Sequence, residues 1–456
     1  MRIVVLGLSI TSSWGNGHAT NYRALCSALR ERGHDVLFLE RDQPWYARAR
    51  DFDAAWVGLY DSVDELVRWQ EDVRRAELVL VGSFLPDGVA VAEWALELAA
   101  GVVAFWDIDT PVTAAKLSRG DHEYLTPELV PRFDLYLSFT GGPFLAALGA
   151  SRPRPFYCLV DPLRYVRVPM EPRWDLGYLG TYSEDRQPTL DELLDRPARR
   201  LPDARFAVAG PMYPEEIAWP ANVERIENVA PGDHPAFYSA QRFTLNVTRA
   251  DMVRAGWSPS VRLFEAAACA VPVVSDWWEG LDAFFEPGRE ILIAHDGDDV
   301  ERFLTEITED ERRAIGERAR ARVLREHTAA RRAAELELFA HFILDVTQVV
   351  VRALSVGWWV TQSGAQPVVG THPRFRQGVD EAGRQRVRSA GAGARLKQDG
   401  RCALANAAVM HRTTRSQDQV AFLRLERIRR GRGIGARGLR LRLPGGFITA
   451  ARQGER

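Results

Sequence analysis

The residues best suited to chemistry lie in one stretch, Ser258-Pro-Ser-Val-Arg-Leu-Phe-Glu-Ala-Ala-Ala-Cys-Ala-Val-Pro-Val-Val-Ser-Asp276. It reads as a loop, a helix over 261–269 and a buried strand entered through Pro272. The first turn of such a helix offers free backbone N–H groups and the positive end of the helix dipole. Arg262 adds a fixed positive charge there. That combination suits a diphosphate. Glu265 follows one turn later, where a carboxylate can accept two ribose hydroxyls. The same spacing also fits an ordinary helix–strand unit with a surface Arg–Glu pair, and spacing alone leaves both open.

Three loops in the first half of the chain are further candidates. Ser12-Ser-Trp-Gly-Asn-Gly17-His18 lies between a strand and a helix, and its glycines let backbone approach a ligand. A dinucleotide fingerprint needs a third glycine near position 20, which is Thr20. His18 is either a phosphate donor or acceptor-side group, or a structural hydrogen-bonding residue. Asp107-Ile-Asp109-Thr110-Pro111 follows a strand at its C-terminal end, where open α/β sheets bind ligands. Asp107 and Asp109 there fit sugar binding or deprotonation of an acceptor, and equally an Asx turn with Pro111 opening a helix. Thr140-Gly141-Gly142-Pro143 is a second glycine-rich loop after a strand.

The elements that position these loops follow from periodicity. Short apolar runs predict buried strands at 2–8, 36–40, 78–82, 102–106 and 135–139. Tyr22, Leu25, Cys26 and Leu29 fall on one helical face, and Gly33 ends that helix. Prolines from Pro153 to Pro172 interrupt the pattern and suggest a hinge. A second series follows, with strands at 176–179, 206–209, 223–226, 243–247, 271–275 and 291–294. Its helices are expected at 189–194, 261–269, 300–307 and 311–326. The expected class is α/β: two Rossmann-like doubly wound domains, 1–158 and 172–345, with a ligand cleft between them. The tail, 357–456, is rich in Arg and Gly and is expected to be disordered. From Thr361 onward it holds 20 Lys and Arg against 6 Asp and Glu, leaving 39 against 55 in the preceding residues. A basic arm for nucleic acid or an anionic surface is one reading of it, and an extension without packed structure is the other.

The apolar run 336–360 is broken by Glu337, His341, Asp345, Gln348 and Arg352 and is not read as membrane-spanning. Met1-Arg-Ile-Val-Val-Leu6 enters a strand pattern with no signal-peptide cleavage site. With four scattered cysteines and no metal spacing, a reduced, cytoplasmic protein without a bound metal is expected.

The stretch 258–276 resembles the nucleotide-sugar signature of GT-B glycosyltransferases, and in particular of the CgeB-like, spore-maturation-type family. Asp175-Leu-Gly-Tyr-Leu-Gly180-Thr181-Tyr-Ser-Glu-Asp-Arg186, Phe243-Thr-Leu-Asn246-Val-Thr248-Arg249 and Gly256-Trp-Ser258-Pro-Ser260 are similar to the same family. The resemblance covers roughly 1–328 and implies residue roles. Glu265 holds the donor ribose. Arg262 and Ser260 approach the diphosphate. Gly180, Thr181 and Arg186 line the cleft, residues 228–231 pass near the base, and the loop with Gly17 faces the donor phosphates. The chain departs from the pattern at Trp257, where many GT-B enzymes carry a first glutamate, and at Ala270, where glycine is usual.

The expected activity is metal-independent hexosyl transfer from a nucleoside-diphosphate sugar, without a cofactor, to an unspecified acceptor; His18, Asp107 and Asp109 are the acceptor-side candidates. Two alternatives stay open: a sugar-nucleotide epimerase, and a non-catalytic morphogenetic or scaffold protein on the same fold. Nucleic acid enters only through the basic tail.

Overall fold

A computed structural model of the protein describes residues 1–13, 17–355, 358–363, 425–427, 438–443 and 446–452. Met1–Ala340 forms one compact unit and His341–Arg456 a second.

The first unit holds two parallel sheets. The N-terminal sheet is built from β1 (Arg2–Gly7), β2 (Asp35–Arg41), β3 (Val57–Tyr60), β4 (Leu78–Gly82), β5 (Val102–Asp107), β6 (Leu135–Ser138) and β7 (Pro153–Pro155). Their order is β3-β2-β1-β4-β5-β6-β7. β4 and β5 are buried along their whole length, which explains their unbroken apolar runs. The helix His18–Glu31 joins β1 to β2, buries Tyr22, Leu25, Cys26 and Leu29, and is closed by Gly33 at φ +87.

The second sheet contains β8 (Trp174–Leu179), β9 (Phe206–Ala209), β10 (Val223–Ile226), β11 (Gln241–Asn246), β12 (Val273–Ser275) and β13 (Leu292–Ile293). Its order, β10-β9-β8-β11-β12-β13, repeats the doubly wound pattern of the first. Each sheet therefore has a switch point, β1/β4 in one and β8/β11 in the other, where the strand ends open a crevice. A separate apolar core lies under each sheet, around Phe105 and Tyr136 in the first and Tyr178 and Phe243 in the second.

Two edge strands escaped the sequence pattern. β3 is four residues long and mostly half-buried. β7 is the proline-rich segment read as a hinge; it pairs with β6 at the sheet edge, where a missing N–H is tolerated. The helix expected at 189–194 is also interrupted. Gln187–Leu190 passes into a π-turn, Asp191–Asp195, before Arg196–Arg200. Pro197 lacks the N–H of an α-helical ladder, and the wider turn precedes it.

The helix Ala329–Ser355 ties the lobes together at its start. Arg332 Nε donates to Tyr157 O at 2.9 Å. Glu337 accepts from Arg32 Nε and Nη2 at 2.5 and 2.6 Å and lies 2.5 Å from His34 Nε2.

In the second unit β14 (Trp358–Ser363), β15 (Leu425–Arg427), β16 (Gly438–Leu443) and β17 (Gly446–Arg452) pair antiparallel in the order β14-β17-β16-β15. The rest of 357–456, and the disorder expected of it, lie outside the described residues. Among the described residues no helix is long and apolar enough to cross a membrane.

Candidate functional site

One wall of the site is the C-terminal edge of the second sheet, at β8 and β11. Ser260 caps the helix Val261–Ala268 in extended conformation, and its hydroxyl does not bond the helix N–H groups. Instead Ser260 Oγ donates to Asn246 Oδ1 at 2.7 Å, so the first-turn N–H groups keep their capacity for an anion. Asn246 also accepts from Arg262 Nη1 at 2.8 Å, while Arg262 Nε donates to Leu179 O at 2.6 Å. Its guanidinium carbon lies 4.8 Å from the Tyr178 ring centroid. Arg186 Nη2 donates to Thr181 O, and its Nε has no hydrogen-bond partner among the described residues.

Arg186 and Arg262 are each only 9% exposed. Among the described residues neither forms an ion pair with a carboxylate. Burial, countered in part by Tyr178 and Tyr213, lowers the Arg186 pKa, and the charges of Arg262 and Arg249 lower it further. Burying cations without a counter-charge is costly, so the pair has capacity for an anion.

Glu265 is buried behind this helix start, 7% exposed. Tyr238 OH donates to its Oε2 at 3.1 Å, and His234 Nδ1 stands 3.7 Å away. Burial alone pushes its carboxyl up; His234, Tyr165 and Tyr238 overcome that and leave it below the ordinary value. It is a charged acceptor with lone pairs to spare.

The other wall is the C-terminal edge of the first sheet. Asp107 is wholly buried, with Thr113 Oγ1 and Tyr136 OH each donating to it at 2.7 Å. Burial raises its carboxyl to about 6 against those hydrogen bonds. Asp109 is half-buried, caps the helix Thr110–Ser118 in position only, and makes no side-chain cap bond. Burial raises it to about 6, with Arg249 of the facing lobe lowering it and Asp251 raising it. His18 opens the helix His18–Glu31; burial lowers it to about 4, and its Nδ1 has no hydrogen-bond partner among the described residues. The imidazole is therefore neutral at neutral pH.

A seam joins the walls. Gly141 N donates to Trp257 O at 2.9 Å, and Thr140 Oγ1 and Ser258 Oγ are 2.8 Å apart. Trp257 has φ +41, a strained value for a bulky residue. Its ring leaves no room for a Cβ at Gly142 or Gly280. Three loops thus close on one indole four residues before the helix Val261–Ala268 begins.

Residues 186–337 match a protein-family model described as glycosyl transferase-like. Sucrose-phosphate synthase from Thermosynechococcus elongatus is similar over 76% of this chain and 100% of its own, at 13% identity and a TM-score of 0.56. Anabaena HepE in complex with UDP and glucose is similar over 74% and 98%, at 14% identity and 0.52. An alpha-glucosyltransferase in complex with UDP and a mismatched 13-mer DNA is similar over 75% and 99%, at 12% identity and 0.56.

The chain has the GT-B fold.

No curated protein matches it in sequence. The two switch points of this GT-B fold bring Arg186, Gly180, Ser260, Arg262 and Glu265 to one wall and His18, Asp107 and Asp109 to the other. Thr181 is exposed beside Arg186, to which it lends its carbonyl. Gly17 is exposed and a Cβ there would touch nothing, so no packing demands glycine; residues 14–16 of its loop lie outside the described residues.

One expectation needs correction. Asp107 cannot reach a ligand, because it is fully buried with both oxygens engaged. It anchors the loop that carries Asp109. Glu40, at the end of β2, is where a dinucleotide fold would hold a ribose. Here it accepts from Ile10 N at 2.6 Å, Thr11 N at 2.9 Å and Thr11 Oγ1 at 2.7 Å, so it is spent on the chain's own loop. His234, Tyr165 and Tyr238 carried no sequence signal of their own. Arg249 closes the stretch 243–249 that resembles the family and stands just beyond the C-terminal end of β11, though its type and spacing assigned it no role.

Proposed function

We propose that the protein transfers a sugar, of hexose type, from a nucleoside diphosphate to a hydroxyl acceptor. One observation carries this reading: two buried guanidiniums, Arg186 and Arg262, stand without a carboxylate at an uncapped helix start, one turn before the charged carboxylate Glu265. The arginines and the helix terminus bind the diphosphate and neutralise it as it leaves, so the reaction invokes no metal and no cofactor. Glu265 takes the ribose hydroxyls.

Asp109 is the general base. Its carboxyl is near neutral in pKa and carries no hydrogen bond to spare for structure, which suits proton abstraction at neutral pH. Closure of the cleft keeps water from the donor. The UDP found in HepE and in the alpha-glucosyltransferase supports UDP as the first nucleotide to try. Within the GT-B enzymes the chain fits the CgeB-like type, acting in the cytoplasm.

Calorimetric titration with UDP, GDP and dTDP tests the reading. At least one should bind, and Glu265→Ala should weaken it without lowering the melting temperature. If none binds a well-folded sample, the reading is lost. Trp257, standing where an acid is common, favours one alternative, a non-catalytic GT-B protein; such a protein would bind the nucleotide and never turn over a donor.

A further inference from the structure

The wall that faces the donor holds a strained, half-buried aromatic residue packed against the margin of the first core. Phe84 follows β4 at the switch point and sits at φ +61. That is an outlier for a bulky L-residue, and such residues persist where the surroundings over-determine them, often at ligand sites. The surroundings here are visible. Ser83 N donates to Trp106 O at 3.0 Å, and Ser83 Oγ accepts from Ile108 N at 3.1 Å, tying the loop to the backbone between Asp107 and Asp109. At Gly88 a Cβ would come within 2.6 Å of Tyr124, so this loop is pressed onto Tyr124. The Phe84 ring is held between Tyr124 (4.8 Å between centroids, tilted) and His18 (5.4 Å, edge-on), yet remains half-buried only.

Charge separates the two walls. The donor wall has two arginines, Arg186 and Arg262, that bond backbone and amide oxygens but form no ion pair among the described residues. On the acceptor wall the cations are spoken for: Lys116 binds Asp121 and Glu123 at 2.7 and 2.8 Å, and Arg41 is paired with Asp87. Asp109 accepts no side-chain hydrogen bond and forms no ion pair among the described residues, the opposing charge that acts on it being Arg249 of the facing lobe, and His18 is uncharged at neutral pH because burial lowers it to about 4. A phosphorylated or otherwise anionic acceptor would meet the Asp109 carboxylate on a wall whose cations Lys116 and Arg41 are already paired; Arg249, which lowers Asp109, belongs to the facing lobe. An uncharged ring meets an aromatic edge, a neutral imidazole and a base.

We propose that Phe84, held in a strained conformation between His18 and Tyr124, is the platform for the acceptor, and that the acceptor is an uncharged hydroxyl compound with a flat apolar face, not a polyanion. This deepens the transferase reading and rests on its assignment of the two walls. Phe84 sets acceptor specificity and leaves the donor site alone.

The test uses the full chain and 4-nitrophenyl β-D-glucopyranoside as probe, followed by saturation-transfer difference NMR with and without UDP. The glucoside should bind, its 6-phosphate and a duplex 13-mer DNA about tenfold or more weakly. Phe84→Ala should weaken the glucoside about tenfold while the UDP affinity stays put, and Phe84→Tyr should retain binding. Phe84→Gly, which releases the left-handed strain, serves if Phe84→Ala does not fold. The inference is overturned if the glucoside fails to bind, if the 6-phosphate or DNA binds as tightly, or if Phe84→Ala changes nothing. Because the glucoside is titrated without UDP as well, a failure of UDP to bind counts against the transferase reading alone.

Discussion

Arg186 and Arg262 are buried and form no ion pair with a carboxylate among the described residues, and the charge of Arg262 lowers the Arg186 pKa. Arg186→Met should therefore leave the melting temperature unchanged or raise it, while UDP affinity falls. Hydrogen bonds to charged groups are worth about 1.5–3 kcal/mol, so each arginine lost should weaken UDP by roughly tenfold to a hundredfold in calorimetry. A variant that melts early and binds normally would mark the arginines as structural. Asp109 makes the second prediction. Its folded pKa of about 6 means that the base is protonated and idle below that pH and active above it. Transfer should rise with pH through about 6, and Asp109→Asn should remove that limb and lower kcat by about 10²–10⁴. A pH profile unchanged by Asp109→Asn assigns the proton to another group. Asp107 has a similar pKa and a different consequence. Its folded value is raised above the ordinary one, so its contribution to stability is present below about pH 4 and is lost as pH rises through about 6. It is a buried support whose loss should show first in folding.

At the scale of elements, the seam around Trp257 links lobe to lobe. The loop 140–142 and the turn at Gly280 both enclose the indole, and Gly256 at φ +64 sets up its approach. Replacing Trp257 by Ala removes a wedge between three loops and leaves the left-handed backbone in place. Large-to-small changes at well-packed sites cost about 3–5 kcal/mol. Part of that loss should appear as lobe opening, seen as an increase in radius of gyration by small-angle scattering, and as more donor hydrolysis relative to transfer. A Trp257→Ala protein with the same scattering profile and the same partition would show that the seam does not govern closure. The π-turn before Pro197 and the edge strand at Pro153–Pro155 belong to the same scale: in both, proline takes a position where the regular ladder needs no donor from it.

For the whole first unit, the helix Ala329–Ser355 returns the chain to the N-terminal lobe, where Glu337 meets Arg32 and His34. Those partners, with burial opposing them, hold the Glu337 carboxyl down to about 2. The depressed value means that its contribution is present above the ordinary carboxylate range and is lost as pH falls toward 2. The pair is partly exposed, so Glu337→Gln should cost only about 0.5–1 kcal/mol, read as a small drop in melting temperature at pH 7 that vanishes in strong acid. Ligand binding should act in the opposite sense. A nucleotide at a hundredfold excess over its Kd stabilises the folded state by about 2.7 kcal/mol, a rise of several degrees in a melt. A diphosphate bound as proposed would supply the counter-charge that Arg186 and Arg262 lack among the described residues.

Much of this was legible in the amino-acid order. β4 and β9 fall where apolar runs predict them, β10 matches the expected strand 223–226, and the helix Val261–Ala268 begins where Ser260 and the following periodicity place it. Buried parallel strands leave a local signature because both faces must be apolar. The likeness of 258–276 to a nucleotide-sugar signature was local too, since loop, cap and first turn are contiguous. What needed the tertiary structure was every judgement of access and charge. Asp107 and Asp109 are two residues apart and look equivalent in sequence, yet one is sealed under Thr113 and Tyr136 and the other faces Arg249 of the opposite lobe. The missing counter-charge of Arg186 and Arg262, the strain at Phe84 and the wedge at Trp257 arise from segments far apart in the chain. Burial, ion pairing and pKa depend on which distant groups share a volume, and only the packed fold decides that.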